Sequence, residues 1–114
     1  MINQNMIDSA MKDYVEGAKK VYGTKLKEVI LYGSCARGDF EEGSDLDIMV
    51  LLDVSREETS CERAKMHPTI NMLDRKYEYE LLFATIVQSY EEFNKYIVVS
   101  PFYQNVRREG IRYA

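Results

Sequence analysis

Residues 30–53 read ILYGSCARGDFEEGSDLDIMVLLD, and this stretch decides the fold. An apolar run ends at Gly33 and Ser34, and a second apolar run follows the two aspartates Asp45 and Asp47. The first run is typical of a strand that ends in a tight turn, and the second predicts a strand buried on both faces. We expect the two runs to be antiparallel neighbours in one sheet, because the Gly-Ser pair and the aspartates can form one site only if the first strand ends where the second begins, and the short connection permits this geometry.

The Gly-Ser pair is a candidate phosphate site. A helix that starts directly after a strand presents backbone amides without internal partners, and these amides bind phosphate well. Gly33 would let a phosphate approach the backbone closely, and the Ser34 hydroxyl would add a donor. Taken alone, the pair is more often an ordinary turn with a helix cap, so the interpretation depends on what lies beside it.

Asp45 and Asp47 supply that second observation. Residues two apart on a strand share one face, so the two carboxylates would repel each other unless a cation lay between them. Carboxylate oxygens without a nearby histidine or thiolate suit Mg²⁺, which takes further ligands from phosphates and water. The alternative is that Asp45 caps the turn and Asp47 faces solvent at the strand entrance. Together with the Gly-Ser turn, the pair predicts a site for a magnesium nucleotide.

The rest of the chain predicts an α/β alternation that supports this segment. Apolar spacing, capping residues and breakers mark helices and strands along the chain. The predicted helices cover residues 2–22, 34–40, 56–76 with a break near 66–67, 89–96 and a last stretch ending at 110; the predicted strands cover 29–32, 46–52 and 79–87, with 111–113 as a short edge strand. The crossover before the third strand is long enough for that strand to run parallel to the second.

Composition limits the class of protein. With 114 residues the chain is expected to form one domain, 1–114. A net charge of −4 argues against a surface that holds long nucleic acid. The apolar runs are too short to cross a membrane, and the first residues lack the pattern of a signal peptide, so we expect a cytoplasmic protein.

The order GSCARGDFEEGSDLD resembles the motif of the DNA polymerase beta-like nucleotidyltransferases, in which a Gly-Ser pair and a glycine precede Ser-Asp-x-Asp. The matching residues are Gly33, Ser34, Arg37, Gly38, Ser44, Asp45 and Asp47. The form G-S-x-A-R-G in so short a chain is similar to the minimal nucleotidyltransferases, the group that includes antitoxins of HEPN/MNT toxin-antitoxin systems. The resemblance implies a palm-like fold: a small mixed sheet of three or four strands, packed with helices.

The resemblance also implies a third carboxylate on the next core strand. Glu80 is the favoured candidate and Glu78 the alternative, because both precede the apolar run of the third strand and would share one face there. The family more often has aspartate at that position. Arg37 and Ser44 are assigned to nucleotide binding with Gly33 and Ser34, although Arg37 can equally form a salt bridge with a nearby acid.

The implied reaction is transfer of a nucleoside monophosphate, AMP from ATP in the leading hypothesis, to a hydroxyl. Two Mg²⁺ ions would be held by Asp45, Asp47 and Glu80. The expected partners are the nucleotide and a HEPN-type toxin whose tyrosine would accept AMP, with the oligomeric state left open. Two alternatives remain: nucleotidylation of a small molecule, and a binding module that has the fold without turnover.

Overall fold

Four strands form one mixed sheet in the computed structural model, which describes residues 2–114. The strands are β1 (Leu26–Tyr32), β2 (Asp45–Leu52), β3 (Leu82–Ser89) and β4 (Ile111–Arg112), in the spatial order β3-β2-β1-β4. β1 runs antiparallel to β2 and to β4, whereas β2 and β3 are parallel. The predicted α/β class, the antiparallel pair and the parallel pair are therefore confirmed.

Six helices surround the sheet in the described part of the chain. They are α1 (Gln4–Tyr22), α2 (Ser34–Arg37), α3 (Thr59–Ala64), α4 (His67–Lys76), α5 (Tyr90–Tyr96) and α6 (Pro101–Glu109). Short 3-10 turns at Gly23–Lys25 and Arg56–Glu58 precede β1 and α3. In residues 2–114, none of the helices combines the length and the apolar composition that crossing a membrane would require.

The helix boundaries follow from local chemistry. The Asn3 side chain accepts a hydrogen bond from the Met6 amide and starts α1. Ser55 and Glu58 form the predicted capping box. The predicted break also occurs, because Pro68 lies in the first turn of α4, where its missing N–H is not needed.

The two faces of the sheet bury different sets of residues. One face packs against α1 and α4 through the main core, which includes Leu46, Ile48 and Val50 of β2. The opposite face packs against α5 and α6 through Met49 and Leu51 in a smaller cluster. β2 is buried on both faces from residue 48 to 52, as its apolar run predicts. By strand alternation, Asp45 and Asp47 lie on the face of the smaller cluster, which we call the α5/α6 face.

The start of the third strand was predicted wrongly. β3 begins at Leu82 rather than at residue 79, and Glu78 and Glu80 lie in the turn between α4 and β3. Glu78 and Tyr79 have φ values of 54° and 59°, so the backbone turns here in the left-handed region. The two glutamates therefore do not share the face of a strand. The predicted end of α2 at residue 40 is also wrong, since α2 ends at Arg37 before the left-handed Gly38.

An ion pair between the exposed Arg107 and the buried Glu28 joins α6 to β1. The Arg107 guanidinium donates to both oxygens of the Glu28 carboxylate, at 2.7 and 3.1 Å, and Glu28 is only 4% exposed. The same guanidinium lies over the Phe93 ring, 5.1 Å from its centroid. Because α6 borders the edge of the sheet near Gly33, this pair helps to position one wall of the site described next.

Candidate active site

The two aspartates open β2 on the α5/α6 face. Asp45 is exposed and Asp47 is half-buried, and residues two apart on a strand are about 6–7 Å apart along the chain. Across the sheet, Asp47 faces Tyr32 at the end of β1 and Ala84 in β3. The pair therefore lies where β1 ends and β2 begins, as the short connection predicts.

Gly33 brings the turn directly against this pair. Its backbone has φ +76° and ψ −159°, a conformation that is open only to glycine. A Cβ at this position would collide with the carboxylate of Asp47. The backbone of the turn and the Asp47 carboxylate are thus in close contact, and only glycine permits it. The turn predicted to bind phosphate therefore lies next to the aspartates predicted to bind magnesium.

The electrostatics of Asp47 favour a cation. Burial raises the pKa of Asp47, the negative charge of Asp45 raises it further, and the Arg37 guanidinium opposes both effects. A bound divalent cation would offset the same repulsion and desolvation, and two carboxylates with no histidine or thiolate ligand are the donor set that suits Mg²⁺. In residues 2–114, no group of three acidic, histidine or cysteine side chains is arranged to hold a metal. The residues present therefore fit Mg²⁺ if phosphate and water complete its ligand set.

The turn between Gly33 and Asp45 is held by its own hydrogen bonds. The Ser44 hydroxyl accepts from the Glu41 amide at 2.9 Å, and the Ser44 amide donates to the Glu41 carbonyl at 3.0 Å. The buried Cys35 thiol donates to the Asp45 carbonyl at 3.4 Å, and burial raises its pKa, so Cys35 is a packing residue rather than a reactive thiolate. Phosphate binding by Ser34 and Ser44 stays a prediction.

Arg37 forms two exposed ion pairs. Its Nε lies 3.2 Å from an Asp39 oxygen, and its Nη1 lies 3.6 Å from an oxygen of Glu109 on α6. Solvent-exposed pairs of this kind contribute little to stability, so a phosphate can replace them at small cost. The sequence predicted a pair with a nearby acid such as Asp39 but could not predict Glu109, because that contact depends on where α6 packs.

Glu80, the favoured third carboxylate, lies in the turn before β3. It lies two positions before Leu82, and Leu82 pairs with Asp45 across the parallel strands. Its backbone amide donates to the Tyr77 carbonyl at 3.0 Å, and its side chain is exposed. The metal-binding role of Glu80, with Glu78 as its alternative, stays a prediction.

A small cavity beside Gly33 was not predicted. Its volume is about 180 Å³, and α6 supplies its outer wall with residues spaced three to four apart. The side chains that line it include Tyr32, Arg37, Phe102, Asn105 and Glu109. The helical spacing of the α6 residues is visible in the sequence, but the face of the sheet against which α6 packs is not.

Comparison with known proteins decides the family. The family model described as a nucleotidyltransferase domain matches residues 11–109, which include the turn, both aspartates and β3. The chain belongs to the nucleotidyltransferase family. The resemblance found in the Gly-Ser and Asp-x-Asp residues is therefore confirmed, and the protein is a nucleotidyltransferase.

Two similar proteins of Methanocaldococcus jannaschii carry the name "Putative protein adenylyltransferase". One is 36% identical over 103 residues, which cover 90% of this nucleotidyltransferase and 93% of the relative. The other is 29% identical over 101 residues, which cover 89% and 92% of the two chains. The similarity thus extends over almost the whole length of both relatives, well beyond the motif.

Proposed function

We propose that this nucleotidyltransferase transfers AMP from MgATP to a hydroxyl group of a protein. The observation that carries the proposal is the contact of the Gly33 turn with the Asp47 carboxylate, beside Asp45. This contact supports the proposal that the turn binds phosphate beside a magnesium ion held by Asp45 and Asp47. The choice of AMP and of a protein acceptor is supported by the names of the two relatives.

In the proposed reaction, the acceptor oxygen forms a bond to the α-phosphorus of ATP. The bond between that phosphorus and the oxygen bridging to the β-phosphate breaks, and pyrophosphate leaves with the electron pair. The hydroxyl proton passes to a carboxylate, and Glu80 is the residue proposed to accept it. Gly33, Ser34 and Ser44 would bind the phosphates, with Arg37 exchanging its exposed carboxylate partners for phosphate.

Asp45 and Asp47 would hold Mg²⁺, with Glu80 completing a site for two ions. When bound, the metal neutralises the charge that develops on the attacking and leaving oxygens. Without it, the two carboxylates would repel an incoming triphosphate. This is why we expect nucleotide binding, as well as turnover, to depend on a divalent cation.

The acceptor is proposed to be a tyrosine of a HEPN-type toxin, so that the protein acts as a cytoplasmic antitoxin. This part of the proposal rests on the resemblance to the minimal nucleotidyltransferases. A second candidate function is binding of the toxin without turnover. The observation that favours it is that Glu78 and Glu80 lie outside β3, while Leu82 and Ala84 occupy the strand positions opposite Asp45 and Asp47.

The test is transfer of label from α-³²P-ATP to a HEPN protein encoded beside this chain's gene, with and without Mg²⁺. We expect labelling of the HEPN protein, and we expect Asp45→Asn and Asp47→Asn each to reduce it at least about 100-fold, since each removes a charge at the reacting centre. Asp53→Asn is the matched control, because Asp53 is an exposed aspartate just beyond the far end of β2. Tight toxin binding without labelling would refute transfer and support the binding function.

A further inference from the structure

We infer that the cavity beside Gly33, between β1, α2 and α6, is the subsite for the nucleotide base and selects a base with an amino group, such as adenine. This inference rests on the proposed function, because it concerns the same nucleotide. It goes beyond that function by assigning base recognition to residues of α6.

The position of the cavity suits a base. Gly33 and Tyr32 line it, and Tyr32 lies across the sheet from Asp47. A nucleotide whose phosphates contact the Gly33 turn therefore has its nucleoside within reach of this cavity. With a volume of about 180 Å³, the cavity is smaller than the roughly 300–1,000 Å³ typical of pockets that enclose a whole ligand, so it suits one planar group.

The walls are those of an aromatic site. The rings of Tyr32 and Phe102 meet edge to face, with centroids 5.6 Å apart and an interplanar angle of 79°. Phe102 is 43% exposed, so part of its ring is available for contact with a ligand. An exposed aromatic ring at the rim of a small cavity is well suited to a heteroaromatic base, because every base has an apolar face that stacks on aromatic rings.

The cavity wall carries both signs of charge, from the Arg37 guanidinium and the Glu109 carboxylate. Glu109 contributes a carboxylate to the wall, 3.6 Å from the Arg37 guanidinium. Arg37 can bind a phosphate, whereas the Glu109 carboxylate would repel a phosphate beside it and would accept a hydrogen bond from an amino group. The phosphates are therefore assigned to Gly33 and Arg37, and the neutral base to the wall that Phe102, Asn105 and Glu109 of α6 form.

The polar groups indicate which base fits. The Asn105 side-chain oxygen already accepts a hydrogen bond from Arg108, which leaves the Asn105 amide nitrogen as a donor. Glu109 is an acceptor. A donor and an acceptor on one wall complement a ring nitrogen next to an exocyclic amino group, which adenine has. Hypoxanthine presents a carbonyl oxygen in place of that amino group, and the Glu109 carboxylate would repel it.

The test is calorimetric titration of the intact chain with the Mg²⁺ complexes of ATP, ITP and inorganic tripolyphosphate. For the wild type we expect ATP to bind more tightly than ITP. Phe102→Ala should weaken ATP binding about 10-fold, the size expected for the loss of one base-aromatic contact, and leave tripolyphosphate binding unchanged. Val98→Ala is the control, since Val98 is a 76% exposed apolar residue outside the cavity wall, and it should bind all three as the wild type does.

Glu109→Gln tests the selectivity through the ratio of the affinities for ATP and ITP. This change also removes one partner of Arg37, so absolute affinities can shift for all three compounds, but the preference for ATP over ITP should be lost. Unchanged ATP binding by Phe102→Ala, or equal losses for ATP and tripolyphosphate, would overturn the base subsite. Equal binding of ATP and ITP by the wild type would overturn the selectivity.

A second measurement does not depend on variants. In the wild type with MgATP, nuclear Overhauser effects should connect the adenine H2 or H8 protons with the ring protons of Phe102 or Tyr32, and effects confined to other residues would overturn the assignment. A different result would contradict the proposed function while leaving the base subsite intact. If ATP shows these effects but no protein is labelled, transfer is refuted and the base subsite stands.

Discussion

Replacement of Gly33 by alanine should lower both the stability of the protein and its transfer activity, and a control at Gly23 distinguishes the two effects. The left-handed backbone at Gly33 would cost an alanine about 1–3 kcal/mol. The new Cβ would also collide with the Asp47 carboxylate, which must then move. In a chain of this size, each kcal/mol lowers the melting temperature by about 4 °C, so we expect a loss of about 4–12 °C together with a displaced Asp47.

Gly23 provides the matched control. Its φ of 56° and ψ of −129° are also closed to most side chains, but a Cβ there would meet no atom within 4 Å. Gly23→Ala should therefore lose a similar amount of stability and keep its activity. Gly33→Ala should lose at least about 100-fold in transfer, because a displacement of about 1 Å at a reacting group has that effect.

The assays are thermal unfolding followed by circular dichroism, and label transfer at a temperature where both variants are folded. Comparable activity in the two alanine variants would refute the reasoning, because it would show that the contact between the turn and Asp47 does not position the reacting groups. If Gly33→Ala loses activity but binds nucleotide with magnesium as the wild type does, the assignment of Gly33 to phosphate binding is also contradicted.

Three further outcomes are expected. Glu80→Gln should reduce label transfer far more than Glu78→Gln, and the reverse order would assign the third carboxylate to Glu78. Arg107→Ala should destabilise the protein by about 1–3 kcal/mol in urea unfolding, because it leaves the buried Glu28 carboxylate with only the more distant Arg112 as a partner. The double change with Glu28→Gln should recover part of that loss, and no recovery would contradict the pairing. Glu62 is buried and accepts hydrogen bonds from two lysines, which lower its pKa. The stabilisation by the charged Glu62 carboxylate is therefore fully present above the unfolded-state pKa and is lost as the pH falls through the folded-state pKa. Glu62→Gln should destabilise the protein more at pH 7 than at pH 3, and an equal difference at both pH values would contradict the ion pairs.

Local signals predicted most of the elements because their causes are local. The capping box at Ser55 and the proline at the start of α4 act within a few residues, and both appear as predicted. The turn before β3 has no such signal, since Glu78 and Tyr79 adopt left-handed conformations that glycine or asparagine would normally indicate. The predicted strand therefore begins three residues too early and wrongly includes Glu80.

Long-range packing accounts for what the sequence could not show. The pair between Glu28 and Arg107 joins residues 79 positions apart, and nothing near either residue marks the other. The same is true of Glu109, which reaches Arg37 only because α6 lies across the end of β1. The helical period of α6 predicts which of its residues share a side, but the burial of that side depends on the ion pair and the ring contacts that fix the helix.

The length of each connection explains why half of the candidate site was predictable. A short turn joins Gly33 to Asp45 within one antiparallel pair of strands. The spacing of the motif is therefore enough to predict that the turn contacts Asp47. β3 reaches β2 through a crossover that contains α3 and α4, and the packing of those helices sets its register. That register places Leu82 opposite Asp45. The proposed third carboxylate, Glu80, would therefore have to reach the aspartates from the turn before the strand, a position for which the longer side chain of glutamate is better suited than aspartate.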